Sequence, residues 1–233
     1  MSKIGITSGG AGDILLSIPV MHSLNITTLL IKESFYPPGH GSLYSVCKPL
    51  VELQGIECKP TKDEGEGFDH FEPGITYDYN MDAWRILPNR GITPIIMAMM
   101  AYWRVFRRDW KQPWIKGIPV SDDGYNLVFL TDRWRERSAL DWSAVYRKIS
   151  KPVYFIGLPA DHATFCMQHG AIEYRPTKDL LEMAMLIGGC SRLYCNQGPA
   201  LVICQGLGKQ YYCEFKPGKT NTRFNTSNEH VLQ

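Results

Sequence analysis

Lys3-Ile-Gly-Ile-Thr-Ser-Gly-Gly-Ala-Gly-Asp-Ile-Leu-Leu16 runs from an apolar strand into a glycine cluster, meets one acid, Asp13, and continues as an amphipathic stretch. Strand, glycine-rich turn and helix in that order open a βα unit, and ligands of open α/β sheets bind where such turns leave the carboxyl ends of the strands. The segment sets the class as α/β and makes Gly10, Gly12 and Asp13 the first candidates for chemistry. A carboxylate in a glycine-lined loop can serve as a general base once partial burial adjusts its pKa. It can equally cap a helix starting at Ile14, a position that Asp fills well.

Outward from this segment, strands alternate with helical patterns, the signature of parallel sheets with crossover helices. The first half predicts strands at 3–8, 27–32, 56–59 and 74–79, with helices at 12–24, 42–54 and 92–107. Thr61 to Gly67 is acidic and glycine-bearing and predicts a solvated loop. Between Asp109 and Gly124 the pattern fails: Trp110, Pro113, Trp114, Gly117 and Pro119 mix turn formers with large aromatics, which suits a linker packed between two domains. The second half predicts strands at 126–131, 152–157, 171–174, 192–195 and 209–215, with helices at 140–149, 160–169, 178–188 and 198–206. The expected architecture is two Rossmann-like domains with parallel sheets facing a cleft, residues 1–117 and 118–224, followed by a tail at 225–233.

Composition narrows the function classes. With 233 residues, 44% of them hydrophobic and 21% charged, the chain can bury one large core or two small ones. A formal net charge of +2 gives no reason to coat nucleic acid or a membrane. The seven cysteines are an odd number without a Cys-x-x-Cys pair, and no signal sequence precedes Lys3, so reduced thiols and a cytoplasmic location are expected, with peripheral membrane contact left open. The longest apolar stretch, Ile92 to Phe106, contains Arg104 and is too short to span a bilayer.

Several short motifs now combine. Gly12-Asp13-Ile14-Leu15 with Pro19 beyond it resembles the amino-terminal motif of the glycosyltransferase family that includes the ADP-heptose:lipopolysaccharide heptosyltransferases. Thr131 to Arg137 followed by Trp142 is similar to that family's basic, donor-contacting segment, and Gly157-Leu158-Pro159-Ala160-Asp161 to its strand-end Gly-Gly-Pro motif. Asp179 to Ile187, Asn196-Gln197-Gly198-Pro199 and Gly206-Leu207-Gly208-Lys209 resemble its closing helix, its Asp-Ser-Gly loop and its Ala-Leu-Gly-Lys-Pro segment. The chain departs from the pattern where the family has Asp-Ser-Gly-x-x-His, since here Asn196, Gln197 and Gly198 are followed by Leu201.

The resemblance implies a GT-B arrangement in which residues 118–224 hold a nucleotide sugar, ADP-linked donors among the options, and residues 1–117 hold the acceptor, a glycan, a lipid-linked sugar or a modified nucleic acid. It implies inverting transfer with Asp13 as base and no cofactor or metal, helix amino termini and basic side chains offsetting the diphosphate charge. The donor side would comprise Arg133, Arg135, Gly157, Asn196, Gln197, Gly198, Pro199 and Lys216; Arg135 stands seven residues before Trp142, as the family's donor-binding Lys does from its Trp. On the acceptor side, Gly10 and Gly12 are joined by Asn80, Asp82 and Arg85, polar groups that follow a predicted strand, with Trp84 able to stack on a sugar and Asp78 or Asp82 a reserve base. The equally weighed alternative for residues 77–85 is a packed loop.

Three other features carry less. Lys216-Pro217-Gly218-Lys219-Thr220 is not a Walker A loop, because Cys213 stands where its first glycine belongs. Arg104, Arg107, Arg108, Lys111 and Lys116 alternate with Trp103, Phe106, Trp110 and Trp114, which suits nucleic acid or a linker whose aromatics enter the core. The altered loop at 196–201 leaves a catalytically inactive nucleotide-binding protein as a further class.

Overall fold

β1 (Lys3–Thr7), β2 (Ile26–Lys32), β3 (Glu57–Thr61) and β4 (Tyr79–Asn80) form a parallel sheet in the order β3-β2-β1-β4. The computed structural model describes residues 2–33, 41–62, 74–87, 94–105, 111–119, 124–131, 140–215 and 222–232. α1 (Ala11–Leu24) carries the chain from β1 to β2, and α2 (Leu43–Leu53) lies between β2 and β3. β4 then pairs on the other side of β1, so the strand order reverses at the β1/β4 boundary and leaves a crevice there. A short 3-10 turn (Ala83–Ile86) and α3 (Ile95–Tyr102) follow.

β5 (Asn126–Phe129), β6 (Val153–Phe155), β7 (Glu173–Tyr174), β8 (Arg192–Asn196), β9 (Tyr211–Glu214) and β10 (Glu229–Val231) form a second parallel sheet, ordered β10-β9-β8-β5-β6-β7. α4 (Trp142–Lys148), α5 (Pro159–His169), α6 (Leu180–Gly189) and α7 (Pro199–Gly206) connect these strands. The sheet winds outward from β5 to β7 and then restarts beside β5 with β8. A second reversal therefore lies between β5 and β8.

α1 is apolar nearly all round, with Ala11, Ile14, Leu15, Leu16, Ile18, Val20 and Met21 buried. Such a helix must be covered on several sides. It packs against α2 and α3, and also against α7 of the second sheet, while α2 packs against α6. One hydrophobic core consequently runs from Ile14, Leu50 and Ile96 through to Leu127, Leu193 and Ile203. A smaller core of Val128, Trp142, Phe155 and Phe165 fills the opposite face of the second sheet, under α4 and α5. Six of the seven cysteines belong to these interiors, and burial pushes the Cys58 and Cys190 thiols up to about 12. They behave as small apolar side chains rather than nucleophiles.

The segment between the sheets is a strap. The Trp114 and Ile115 N–H groups both donate to the Gly206 carbonyl, at 2.8 and 2.9 Å, which ties it to the end of α7. Lys116 N–H donates to Gln54 Oε1 at 2.9 Å and Gln54 Nε2 donates back to Lys116 O at 3.0 Å, which ties it to the end of α2. Trp114 is buried with its ring 5.9 Å from that of Phe224, and Trp103 stacks edge-on against Tyr79 and Tyr102. The aromatics of this region that the structure describes thus face inward; Arg107, Arg108 and Trp110 lie outside the described residues.

Four expectations are corrected. The strand expected at 74–79 is the two residues of β4: the backbone reaches β1 only at Asp78, whose N–H donates to the Ile4 carbonyl at 2.8 Å while its carboxylate accepts from the Ile4 N–H. The helix expected at 92–107 covers Ile95–Tyr102 and stops where Arg104 takes a positive φ of 52°. α1 begins at Ala11, three residues before Ile14, with Gly10 as its N-cap. The tail contributes β10, held by Glu229, which accepts from the Arg223 Nε, the Tyr211 hydroxyl and the Phe224 N–H. Trp114→Ala should cost about 3–5 kcal/mol through the cavity it leaves under the strap, read as a lower urea midpoint at unchanged secondary structure.

Candidate functional site

The reversal between β1 and β4 gathers one acid from each side. Asp13 stands in the first turn of α1, and its carboxylate accepts from the Gly10 N–H. Gly10 itself is exposed, with open space where a Cβ would project. From the other side, Arg85 reaches back from the 3-10 turn and pairs with Asp13 through Nη2. Arg85 Nε also donates to Asp82 Oδ1 at 3.3 Å. Asp82 is buried, and its Oδ2 accepts from the Ser8 N–H at 2.7 Å, the Thr7 hydroxyl at 3.1 Å and the Ser8 hydroxyl at 3.4 Å.

Gly9 makes this convergence possible. A Cβ there would lie 2.8 Å from Asp82 Oδ1, and 3.2 Å from both Arg85 Nη2 and Asp13 Cβ. Asn80 belongs to the same turn, where its Oδ1 accepts from the Asp82 N–H at 2.9 Å.

Two of the acids suggested as reserves are removed by geometry. Asp78 accepts from Ile4 N–H at the start of β1, the far end of the strand from Asp13. Asp82 spends both oxygens on its neighbours. Trp84 is also corrected as a sugar-stacking group: it is 2% exposed, and the Arg85 guanidinium lies 4.8 Å over its ring.

Asp13 keeps a window to solvent, its side chain 22% exposed. Burial pushes its carboxyl above the usual carboxylate range and the charge of Asp82 adds to this, while Arg85 and the Gly10 N–H pull the other way. A carboxylate lifted by burial and held by one specific cation is the pattern expected of a proton acceptor in a cleft.

The reversal between β5 and β8 has a different character. Phe129, at the end of β5, is pinched between two glycines. A Cβ on Gly198 would meet its Cε1 at 2.6 Å, and one on Gly157, whose φ is 126°, would meet its Cδ2 at 3.3 Å. Asn196 clips β8 to β5, donating from Nδ2 to Thr131 O at 2.7 Å and accepting from Thr131 N–H at 3.1 Å. Gln197 is 2% exposed and donates to the Thr222 hydroxyl at 2.6 Å. The side chains of Asn196 and Gln197 therefore brace the loop from within. Its outward groups are the backbone of Gly198, which caps α7, and Pro199, the first residue of that helix. Both are half-buried, and the first-turn N–H groups of α7 have no carbonyl partner within the helix.

Glu214, at the end of β9, accepts from the Trp142 Nε1–H at 2.7 Å and joins the first turn of α4 to this end of the sheet. Phe129, Thr7, Ser8 and Glu214 were not foreseen; a hydrophobic strand end or a Thr-Ser pair carries no local signal of its role. Arg133, Arg135 and Lys216 lie outside the described residues, as does His40. Among the described residues no three His, Cys, Asp or Glu side chains come together to hold a metal ion. No helix among them is long and apolar enough to cross a membrane.

The two crevices are neighbours. A Cβ on Gly12, one residue before Asp13, would lie 3.7 Å from Val202 Cγ2 in the first turn of α7. The amino termini of α1 and α7 thus come together, each at the mouth of its own sheet.

No family model matches the chain, and no curated protein matches it in sequence. Its fold is that of several solved glycosyltransferase structures. The ADP-heptose LPS heptosyltransferase II of E. coli superposes with a TM-score of 0.65 at 10% identity, over 100% of this chain and 90% of that one. E. coli heptosyltransferase WaaC, solved with ADP-2-deoxy-2-fluoro heptose, gives 0.60 at 12% identity, over 100% and 93%. A glycosyl transferase family 9 structure from Veillonella parvula DSM 2008 gives 0.59 at 12% identity, over 99% and 85%.

Two stability measurements check this geometry. Replacing Asn196 by Asp turns a donated bond into an anion facing the Thr131 carbonyl, so N196D should lose about 1–3 kcal/mol at neutral pH. The new acid's folded pKa lies above its unfolded one; the loss should be smallest at about pH 4 and deepen as the pH rises, as read from urea midpoints. For Asp13 the sign is the same: its folded carboxyl is raised, so its ionisation costs stability as pH rises through the folded pKa. Asp13→Asn should therefore match the parent at acid pH and become the more stable protein toward pH 8.

Proposed function

We propose that the chain is a glycosyltransferase that moves a sugar from a nucleoside diphosphate donor to an acceptor hydroxyl, with inversion at the anomeric carbon. The observation that carries this reading is Asp13. It is a partly exposed, burial-raised carboxylate at the reversal of one Rossmann-like sheet, next to the helix amino terminus that opens the crevice of the other. The fold shared with solved nucleotide-sugar transferases supports it.

In this mechanism Asp13 accepts the proton of the acceptor hydroxyl as its oxygen attacks the anomeric carbon. The bond from that carbon to the diphosphate oxygen breaks, and the electron pair leaves with the nucleoside diphosphate. Attack from the face opposite the leaving group inverts the centre. The departing charge falls to the N–H groups at the start of α7 and to Arg133, Arg135 and Lys216, so the scheme uses no metal cofactor. Gly157, Gly198 and Pro199 give the donor close access to backbone, while Asn196 and Gln197 hold that backbone in place. Gly10, Gly12 and Arg85 border the acceptor, and Asn80 and Asp82 stand behind them. ADP-linked sugars are the first donors to test, because WaaC was solved with one. A cytoplasmic location is proposed with this reading.

The test has two stages. Thermal shifts with ADP-, UDP- and GDP-sugars should show stabilisation by one nucleotide class, and silence with all three would overturn the reading. With that donor and a panel of glycan, lipid-linked and nucleic-acid acceptors, Asp13→Ala should lower transfer by on the order of 10²-fold or more. Donor binding by that variant should persist. Transfer that survives the substitution would remove Asp13 as the base.

A further inference from the structure

Asp82 and Arg85 are more elaborately held than an acceptor-lining role requires. Asp82 Oδ2 takes hydrogen bonds from Thr7 and twice from Ser8, all at the end of β1, so the carboxylate is fastened to the strand that leads into Asp13's loop. Its Oδ1 faces Arg85 Nε. The 3-10 turn explains why these two meet: residues three apart eclipse one another at that pitch, and Asp82 and Arg85 are so spaced. The Arg85 N–H donates to the Asp82 carbonyl at 3.0 Å, and Trp84 lies under the guanidinium. With its stem fixed in this way, Arg85 presents Nη2 to Asp13 Oδ2. One planar group thus joins two carboxylates, one with every direction used and one facing solvent.

We propose that Arg85 is a positioning residue that fixes the rotation of the Asp13 carboxylate, and that Asp82 holds Arg85 in the geometry that does so. A free aspartate turns about its Cβ–Cγ bond, and a base must present one oxygen to one hydroxyl. Pairing at Oδ2 selects that orientation before any acceptor arrives. Lysine would supply the charge without the fork, because a point charge cannot grip Asp82 and Asp13 at fixed relative angles. Gly9 belongs to the device, since a Cβ there would intrude on all three side chains. The charges acting on Asp13 among the described residues are those of Arg85 and Asp82; Gly9, Gly12 and the facing Val202 carry none.

This inference rests on the glycosyltransferase reading for its catalytic consequence, but the contact can be tested without it. Aspartate labelled with ¹³C in the carboxyl, assigned through Asp13→Asn, reports the titration of Asp13 in the free protein. Arg85→Met should raise its midpoint, because the attraction opposing burial is lost, and Arg85→Lys should leave it near that of the parent. In transfer assays Arg85→Lys, Asp82→Asn and Gly9→Ala should each lower kcat by on the order of 10²-fold with an unchanged donor KM. The acid limb of the rate profile should follow the NMR midpoint.

An Asp13 midpoint unmoved in folded Arg85→Met would overturn the proposal. So would parental kcat in Arg85→Lys, which would mean that charge alone suffices. Absence of transfer by the parent with every donor would instead count against the functional reading, and the NMR titration would still decide whether Arg85 governs Asp13.

Discussion

The packing of α1 against α7 is the contact on which the arrangement depends. α1 is buried on nearly every side, and no single sheet could cover it; the second sheet and its helices complete the cover. Burying an Ile or Leu of this kind is worth about 1.5–3 kcal/mol each, so several such side chains outweigh the cost of bringing the halves together. The same contact sets the distance between the crevices. Gly12 lies against Val202 in the first turns of their helices, close enough that a Cβ there would be in van der Waals contact with it.

The strap continues this logic at the other end of the helices. It hydrogen-bonds to the carboxyl ends of α7 and α2, while the amino ends of α1 and α7 remain at the crevices. The strap and the crevices are therefore separated along the helix axes. The buried ring of Trp114 and the paired amides of Gln54 and Lys116 lie at one end, and the glycine loops at the other.

Much of the fold could be read along the chain because its signals are local. The helices expected at 42–54, 140–149 and 178–188 become α2, α4 and α6, which the structure caps with Ser42, Asp141 and Asp179, and most apolar strands lie within a few residues of their expected ends. β4 is expected a few residues too early and too long, and β10 falls in what the sequence presents as a tail, three residues being too few for any periodicity to show. In the candidate site, Asp13 stood out because glycines isolate it. The roles of Asp82 and Arg85 were visible only as polar residues after a strand, since their meaning lies in contacts with residues some seventy positions away. The resemblance puts Asn196 on the donor side, yet both ends of its amide turn inward to Thr131, a partner sixty-five residues earlier.

That last point bears on the departure from the heptosyltransferase motif. An amide at position 196 can donate to the Thr131 carbonyl while accepting from the Thr131 N–H, a two-way clip that an ionised carboxylate cannot make. The amide thus closes the strand ends of β5 and β8 with a neutral bond, while the neighbouring carboxylate of Glu214 is turned to the Trp142 Nε1–H. At the other crevice two carboxylates share one guanidinium. There Asp13 is ionised only at a cost set by burial and by the charge of Asp82, and Arg85 returns part of that cost. An acid kept reluctant to ionise binds a proton more readily than a surface aspartate does, and the fold accepts the penalty at the place where its two halves meet.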